Sequence, residues 1–211
     1  MFEYIYIDGL SGKAPTPKLR EKIQKGVDFH ILAERYFSGM DDYFYVEEPK
    51  LLEWMATLED EYPMDIHGRS EFEVKQNIDG IKIMAKFDLL VVEDKKIKII
   101  DFKTNEREYR VKNIEDNIQT KVYMYILGEN LKRIFPKARL EDIFMEYFQL
   151  NFPKNKIIIE YNEKKHEKNK MFLQKLIRKI EKDKKTFFER EFENCEKCGF
   201  ETFCQNDEKK L

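Results

Sequence analysis

The chain has 211 residues, 42% of them hydrophobic and 14% aromatic, enough for one buried core with a small C-terminal appendage. Although 38% of its residues are charged, the formal net charge is only -2, so a groove for nucleic acid has to come from local clustering of Lys and Arg. No run is long and apolar enough to span a bilayer, residues 1–10 are too polar and aromatic for a signal peptide, and all three cysteines crowd between Cys195 and Cys204; a membrane protein and a disulfide framework are thereby disfavoured, and a cytoplasmic chain with no membrane partner is expected.

In chain order, residues 1–6 read as a short edge strand or an ordered arm, broken by the Gly/Ser/Pro segment that follows. Thr16 and Pro17 supply an N-cap and a first-turn proline, predicting a helix over 17–37. On it Gly26, His30, Glu34 and Phe37 share one face at steps of four, four and three. Residues 41–65 read as a cover over a sheet, with a short helix over 50–60 around Trp54. Phe72 and Val74 alternate with Glu71, Glu73 and Lys75, predicting a strand over 70–76 in which Glu71 and Glu73 face solvent, with Glu71 within range of a site. Asn77 to Gly80 make a tight turn.

The next stretch, residues 80–103, reads as two antiparallel strands joined by the polar turn Glu93 to Lys96. Asp101 and Lys103 are two apart and project together, while Phe102 turns to the opposite side; a hairpin this tight sets Asp88 beside them. Two acids in apolar runs next to a lysine make a site hypothesis, because buried charge is costly unless paired or bound to metal. Alone, Asp-x-Lys is more often a solvated strand end. Residues 104–110 then read as a flexible loop at the mouth of the site.

One long helix is predicted over 112–134, with Gln119 and Tyr123 on a common face. Strands over 139–151 and 156–161 follow. A basic amphipathic helix over 163–185 turns Met171, Leu173, Leu176, Ile177 and Ile180 inward and a row of Lys and Arg outward. Such a face is usually solvated, though it suits phosphates.

The order is helix, three strands, helix, two strands, helix. With it, the run Gly26-xxx-His30-xxx-Glu34-xx-Phe37, the strand acid Asp88, Ile99 to Thr104 (IIDFKT), Gln119 to Tyr123 (QTKVY) and the tail Cys195-x2-Cys198-x5-Cys204 resemble the PD-(D/E)XK nuclease superfamily, in its RecB-like branch, which includes CRISPR-adaptation exonucleases with a cysteine cluster. The flank Ala85-Lys86-Phe87 departs from the family's usual residues before the first acid without altering the ligand.

The resemblance implies an α/β fold: a restriction-endonuclease-like core over 1–190, with a central mixed β-sheet flanked by helices, and a cysteine-containing tail over 191–211 packed on it. It implies a metal-dependent nuclease on DNA, exonuclease rather than endonuclease, acting on single strands or free ends in repair, recombination or CRISPR adaptation beside a helicase or other partner protein. A catalytically silent nucleic-acid-binding module of the same fold is the alternative. Oxygen ligands suit Mg²⁺ or Mn²⁺ at Asp88 and Asp101. By the resemblance, His30 and the backbone carbonyl of Phe102 complete the shell, with Glu34 supporting His30. Lys103 orients or deprotonates the attacking water, and Gln119 and Tyr123 position the substrate and site. The family's fourth cluster cysteine is missing, which leaves three readings of Cys195, Cys198 and Cys204: an iron-sulfur cluster with another ligand, Zn²⁺ bound with a histidine such as His67 or His166, or free thiols.

Overall fold

The computed structural model describes residues 16–40, 46–93 and 95–183. The chain forms two compact units: one of residues 25–181, and one that joins residues 1–24 with 182–211. In the second, the described residues are the start of helix α1 (Pro17–Phe37), where the Thr16 hydroxyl accepts the Leu19 N–H at 3.3 Å as the predicted N-cap, and the end of α5. The predicted N-terminal strand, the cysteine tail and the last residues of the basic helix lie outside the described residues.

Residues 25–181 hold everything else. After α1 come α2 (Pro49–Glu61), β1 (Gly68–Ile78), β2 (Ile81–Glu93), β3 (Lys96–Lys103), α3 (Val111–Glu115), α4 (Ile118–Ile134), β4 (Ile143–Gln149), β5 (Ile157–Glu160) and α5 (Glu163–Asp183). Among the described residues the sheet has strand order β1-β2-β3-β4-β5, with β3 and β4 parallel and the other neighbours antiparallel. A parallel pair requires a crossover, and α3 with α4 supplies it. The expected α/β mixed sheet is present, with helices on both faces. On one side Met124, Ile126 and Leu127 of α4 and Leu173 and Ile177 of α5 cover Phe87, Ile99, Met145 and Tyr147. On the other, Phe29 and Ala33 of α1 and Trp54, Met55 and Leu58 of α2 cover Leu89, Ile100, Phe102 and Phe148. A sheet covered on both faces explains the nearly unbroken apolar run after Asp88.

Local chemistry sets the boundaries. At the β1–β2 turn Asp79 and Gly80 both have positive φ, 49° and 88°, the two left-handed residues that a tight antiparallel hairpin demands. The carboxylate of Glu48 accepts the Lys50 and Leu51 N–H groups at the start of α2, with Pro49 as its first residue.

Several expectations need correction. The single helix over 112–134 is two, broken at Asp116 and Asn117, because the Asn117 side chain caps α4 by accepting the Gln119 N–H at 2.9 Å. The strand expected from 139 begins at Ile143, after a 3-10 turn (Leu140–Asp142) in which the Asp142 carboxylate accepts the Arg139 N–H. On α5, Leu173 and Ile177 are buried but Met171 and Ile180 are 61% and 45% exposed, so the inward stripe is narrower than the sequence pattern. The basic face of α5 is partly neutralised by the pairs Lys165–Glu115, Lys168–Asp116, Lys170–Glu167 and Arg178–Asp79, which fits a solvated surface.

The loop over 104–110 is tied down. The buried Gln149 accepts the Tyr109 N–H at 2.7 Å, and the Asn151 amide donates to the Thr104 and Asn105 carbonyls at 3.1 and 2.9 Å. Asn155 donates to the Tyr109 carbonyl, and the Trp54 indole N–H holds Asn151 from α2.

Deep under α2, the Tyr62 hydroxyl donates to the buried Glu146 carboxylate at 2.6 Å. Tyr62→Phe strips that carboxylate of its donor, and the expected outcome is a loss of about 1–3 kcal/mol in urea unfolding with an unchanged circular dichroism spectrum.

Candidate active site

At its C-terminal end β3 leaves its apolar core with an acid and a base on one face. Asp101 is only 2% exposed, and Lys103 Nζ lies 2.6 Å from its Oδ2. Gln119 closes the triangle: its Nε2 donates to Asp101 Oδ1 at 2.6 Å, and its Oε1 accepts from Lys103 Nζ at 3.1 Å. The break in the helix matters here, since the Asn117 cap fixes Gln119 in the first turn of α4. Tyr123, one turn on, packs edge-on against Phe87 with centroids 5.2 Å apart, and Lys103 sits over the Tyr147 ring at 5.6 Å.

Asp88 is joined to this group through the backbone. Its Oδ2 accepts the Phe102 N–H at 2.7 Å, while its Oδ1 lies 3.5 Å from His30 Nδ1. Phe102 itself turns its ring into the core against Phe29, His30's neighbour on α1. The helix can come this close because of Gly26: a Cβ there would stand 3.2 Å from the Thr104 hydroxyl, tighter than ordinary packing. The Gly-His spacing of the sequence is thus a close approach followed, one turn later, by the imidazole that faces Asp88. Glu34, the next step on that face, is exposed; its charge acts on Lys86, and among the described residues no hydrogen bond joins it to His30.

Alternation puts Glu71 on the solvent side but within range of the site, and the structure brings it beside His30 and Asp88. Phe87 packs into the α4-side core and Leu89 into the opposite one, a change of face that regular alternation forbids. The change falls at Asp88, and on the neighbouring strand at Glu71, whose φ is +52°. The ladder pairs Phe72 with Phe87 and Ser70 with Leu89 and skips the two acids between. As a result, donor atoms of His30, Glu71 and Asp88 all lie within 4.8 Å of one another. Glu71 also forms an ion pair with Lys86. The signal available in the sequence was its position opposite Asp88 across the Asp79-Gly80 turn.

Burial and mutual charge set the protonation. Burial pushes the Asp101 carboxyl up to about 6, and the Asp88 charge adds to this against the Lys103 ammonium. Burial pulls the other way on His30, yet its contact with Asp88, and then the Asp101 charge, raise it above its ordinary value. Lys103 is raised as well: burial is outweighed by Asp101 and then Asp88, so its ammonium stays charged. Burial also raises the Tyr123 hydroxyl, opposed by a hydrogen bond with Gln119.

The donor set fits a hard divalent cation: carboxylate oxygens with one imidazole nitrogen. The Asp101 carboxylate supports the fit, because it is buried at the end of β3 with one lysine and one amide as its partners, and an acid so placed calls for further positive charge. Cys195, Cys198 and Cys204 lie outside the described residues. His166 does not suit the zinc reading, since its Nε2 meets Glu129 at 2.8 Å and its Nδ1 meets the Tyr161 hydroxyl at 3.0 Å; His67 is exposed. No helix among the described residues is long and apolar enough to cross a membrane.

A family model, that of the PD-(D/E)XK nuclease superfamily, matches residues 19–205. No curated protein sequence matches the chain. Among solved structures, similarity is found to a protein provisionally described as an exonuclease from Eubacterium rectale, at 14% identity and a TM-score of 0.49, covering 74% of this chain and 66% of that one. It is also found to SSO0001, at 16% identity and a TM-score of 0.37, covering 87% of this chain and 80% of that one.

Asp101 and His30 both bind protons more readily in the folded chain than in the unfolded one, so without metal the folded state loses stability as pH rises. For Asp101 the loss runs from its ordinary 3.8 to about 6, and for His30 it begins above 6.5. A divalent cation requires both groups deprotonated, and its stabilisation grows over the same interval. Calorimetry in EDTA should show a melting temperature that falls as pH rises from about 5 and goes on falling above 6.5, with Asp101→Asn removing the part below pH 6 and added Mn²⁺ reversing the trend.

Proposed function

The chain belongs to the PD-(D/E)XK nuclease superfamily, and from that premise we propose that it is a Mg²⁺- or Mn²⁺-dependent nuclease acting on DNA, with exonuclease action on single strands or free ends. The observation that carries this reading is the triangle that the buried Asp101 forms with Lys103 and Gln119, set beside Asp88 and His30. The order of motifs from Gly26 to Tyr123, similar to that of RecB-like enzymes, supports the exonuclease part.

The metal, when bound, acidifies a water and offsets charge that develops on the phosphate. Asp88 and Asp101 would hold it, with His30 and the Phe102 carbonyl as further ligands. Asp88 is well placed for this, since the Phe102 N–H holds its Oδ2 and leaves its Oδ1 directed to His30. Lys103 is a cation in its resting state, which favours orienting the nucleophile and stabilising the phosphorane charge over acting as a base. Gln119 positions both the acid and the lysine through one side chain, and Tyr123 stands one turn further along as a contact for substrate. The wider setting of the reading is repair, recombination or CRISPR adaptation in the cytoplasm with a helicase or recombination partner, and an iron-sulfur cluster or Zn²⁺ at Cys195, Cys198 and Cys204.

The test is cleavage of end-labelled single- and double-stranded DNA with Mn²⁺ or Mg²⁺. We expect a ladder of shortened products that EDTA abolishes and that Lys103→Ala reduces by about 10²–10³-fold. Products from circular substrates would replace exonuclease with endonuclease action. A wild-type chain that binds DNA and cuts none of these substrates would transfer the reading to a silent binding module.

A further inference from the structure

Glu71 has no place in the machinery just described, yet the fold goes to some length to bring it there. It is a strand residue held at φ +52°, a region that a glutamate seldom occupies, at the one step where β1 and β2 both stop alternating. The effect is to set its carboxylate among His30 and Asp88, all three donor atoms within 4.8 Å, on the β1 side of Asp88. Asp101 is engaged on the other side by Gln119 and Lys103. Asp88 stands between the two groups with its oxygens divided, Oδ2 on the Phe102 N–H and Oδ1 toward His30. Asp101 Oδ2 is taken up by the Lys103 ammonium at 2.6 Å, whereas Asp88 Oδ1 faces only the His30 ring at 3.5 Å among the described residues and is open to a cation.

We propose that Glu71 is itself a ligand: together with His30 and Asp88 it holds a divalent cation on the β1 side of the site, and Lys86 is the counter-ion that its carboxylate takes when the cation is absent. One imidazole nitrogen and two carboxylate oxygens make a three-donor set that leaves positions free for water and a phosphate oxygen, as Mn²⁺ and Mg²⁺ require. The Lys86–Glu71 ion pair joins two partly exposed side chains, so little is lost when a cation displaces the lysine. The inference rests on the metal-dependent reading of the site and adds to it a carboxylate from the first strand.

Mn²⁺ binding to the full chain, read by the electron paramagnetic signal of the free ion, separates the two ideas without any substrate. Glu71→Gln should weaken Mn²⁺ binding by about tenfold or more, whereas Lys86→Gln should leave it unchanged or tighten it. Glu71→Asn, whose side chain tolerates positive φ, should reproduce the loss and guard against a folding artefact, with circular dichroism as the check. If Glu71→Gln and Glu71→Asn titrate as the wild type does while Asp88→Asn abolishes binding, Glu71 is only the partner of Lys86 and the inference falls, with the nuclease reading intact. Failure of the wild type to bind Mn²⁺ overturns both.

Discussion

A carboxylate buried at the end of a central strand is the constraint from which the rest of the site follows. Asp101 sits where water cannot solvate it, and the cost of that placement has to be offset by groups brought from elsewhere in the chain. Lys103 comes from the same strand through the two-residue period, and Gln119 from a helix that must break and restart to present it. Asp88 and Asp101 repel each other across the hairpin, which helps to keep Asp101 easy to protonate. Two acids face one lysine, so their charge is balanced only when the His30 imidazole is protonated or a cation takes its place.

Much of this was legible in the sequence because it depends on short-range periodicity. The Asp79-Gly80 turn, the Asp101–Lys103 pair and the Gly26-His30 step each follow from spacing within one element or one hairpin, and the structure places them as that spacing predicts. What stayed hidden depends on contacts between distant segments. Glu71 alternates with Phe72 and Val74 like any solvent-facing strand residue, and only the change of face opposite Asp88 turns it toward the site. The break before α4 is masked by an apolar stripe that continues through it, although Asn117 is a good cap when read by itself. Met171 stands about half a turn round α5 from Leu173 and Ile177 and is exposed, and Ile180, nearer their stripe, is exposed as well.

The two cores divide the labour. The one under α1 and α2 is built from stacked and edge-on aromatic rings, Phe29, Trp54, Phe102 and Phe148 among them, and gives the histidine helix a rigid bed. The one under α4 and α5 is largely aliphatic and carries Gln119 and Tyr123 at its rim. His30, Asp88, Asp101, Lys103, Gln119 and Tyr123 are therefore all mounted on regular elements rather than on a loop, which limits how far they can drift from one another.

The amide clasp on residues 104–110 carries a consequence for the order in which the molecule assembles. Asp88 and Asp101 meet as soon as one hairpin zips, a local event on the microsecond scale. Gln149 and Asn151 belong to β4 and the turn after it, and they can grip the segment following Lys103 only after the α3–α4 crossover has closed and the parallel pair has formed. Such non-local pairing is slow, because the entropy of closing a long loop is lost before any contact is gained. A nascent or half-folded chain would hold its two acids and Lys103 together without Gln119 and the 104–110 segment in place, so the complete site arrives with the last strands of the sheet rather than with the first.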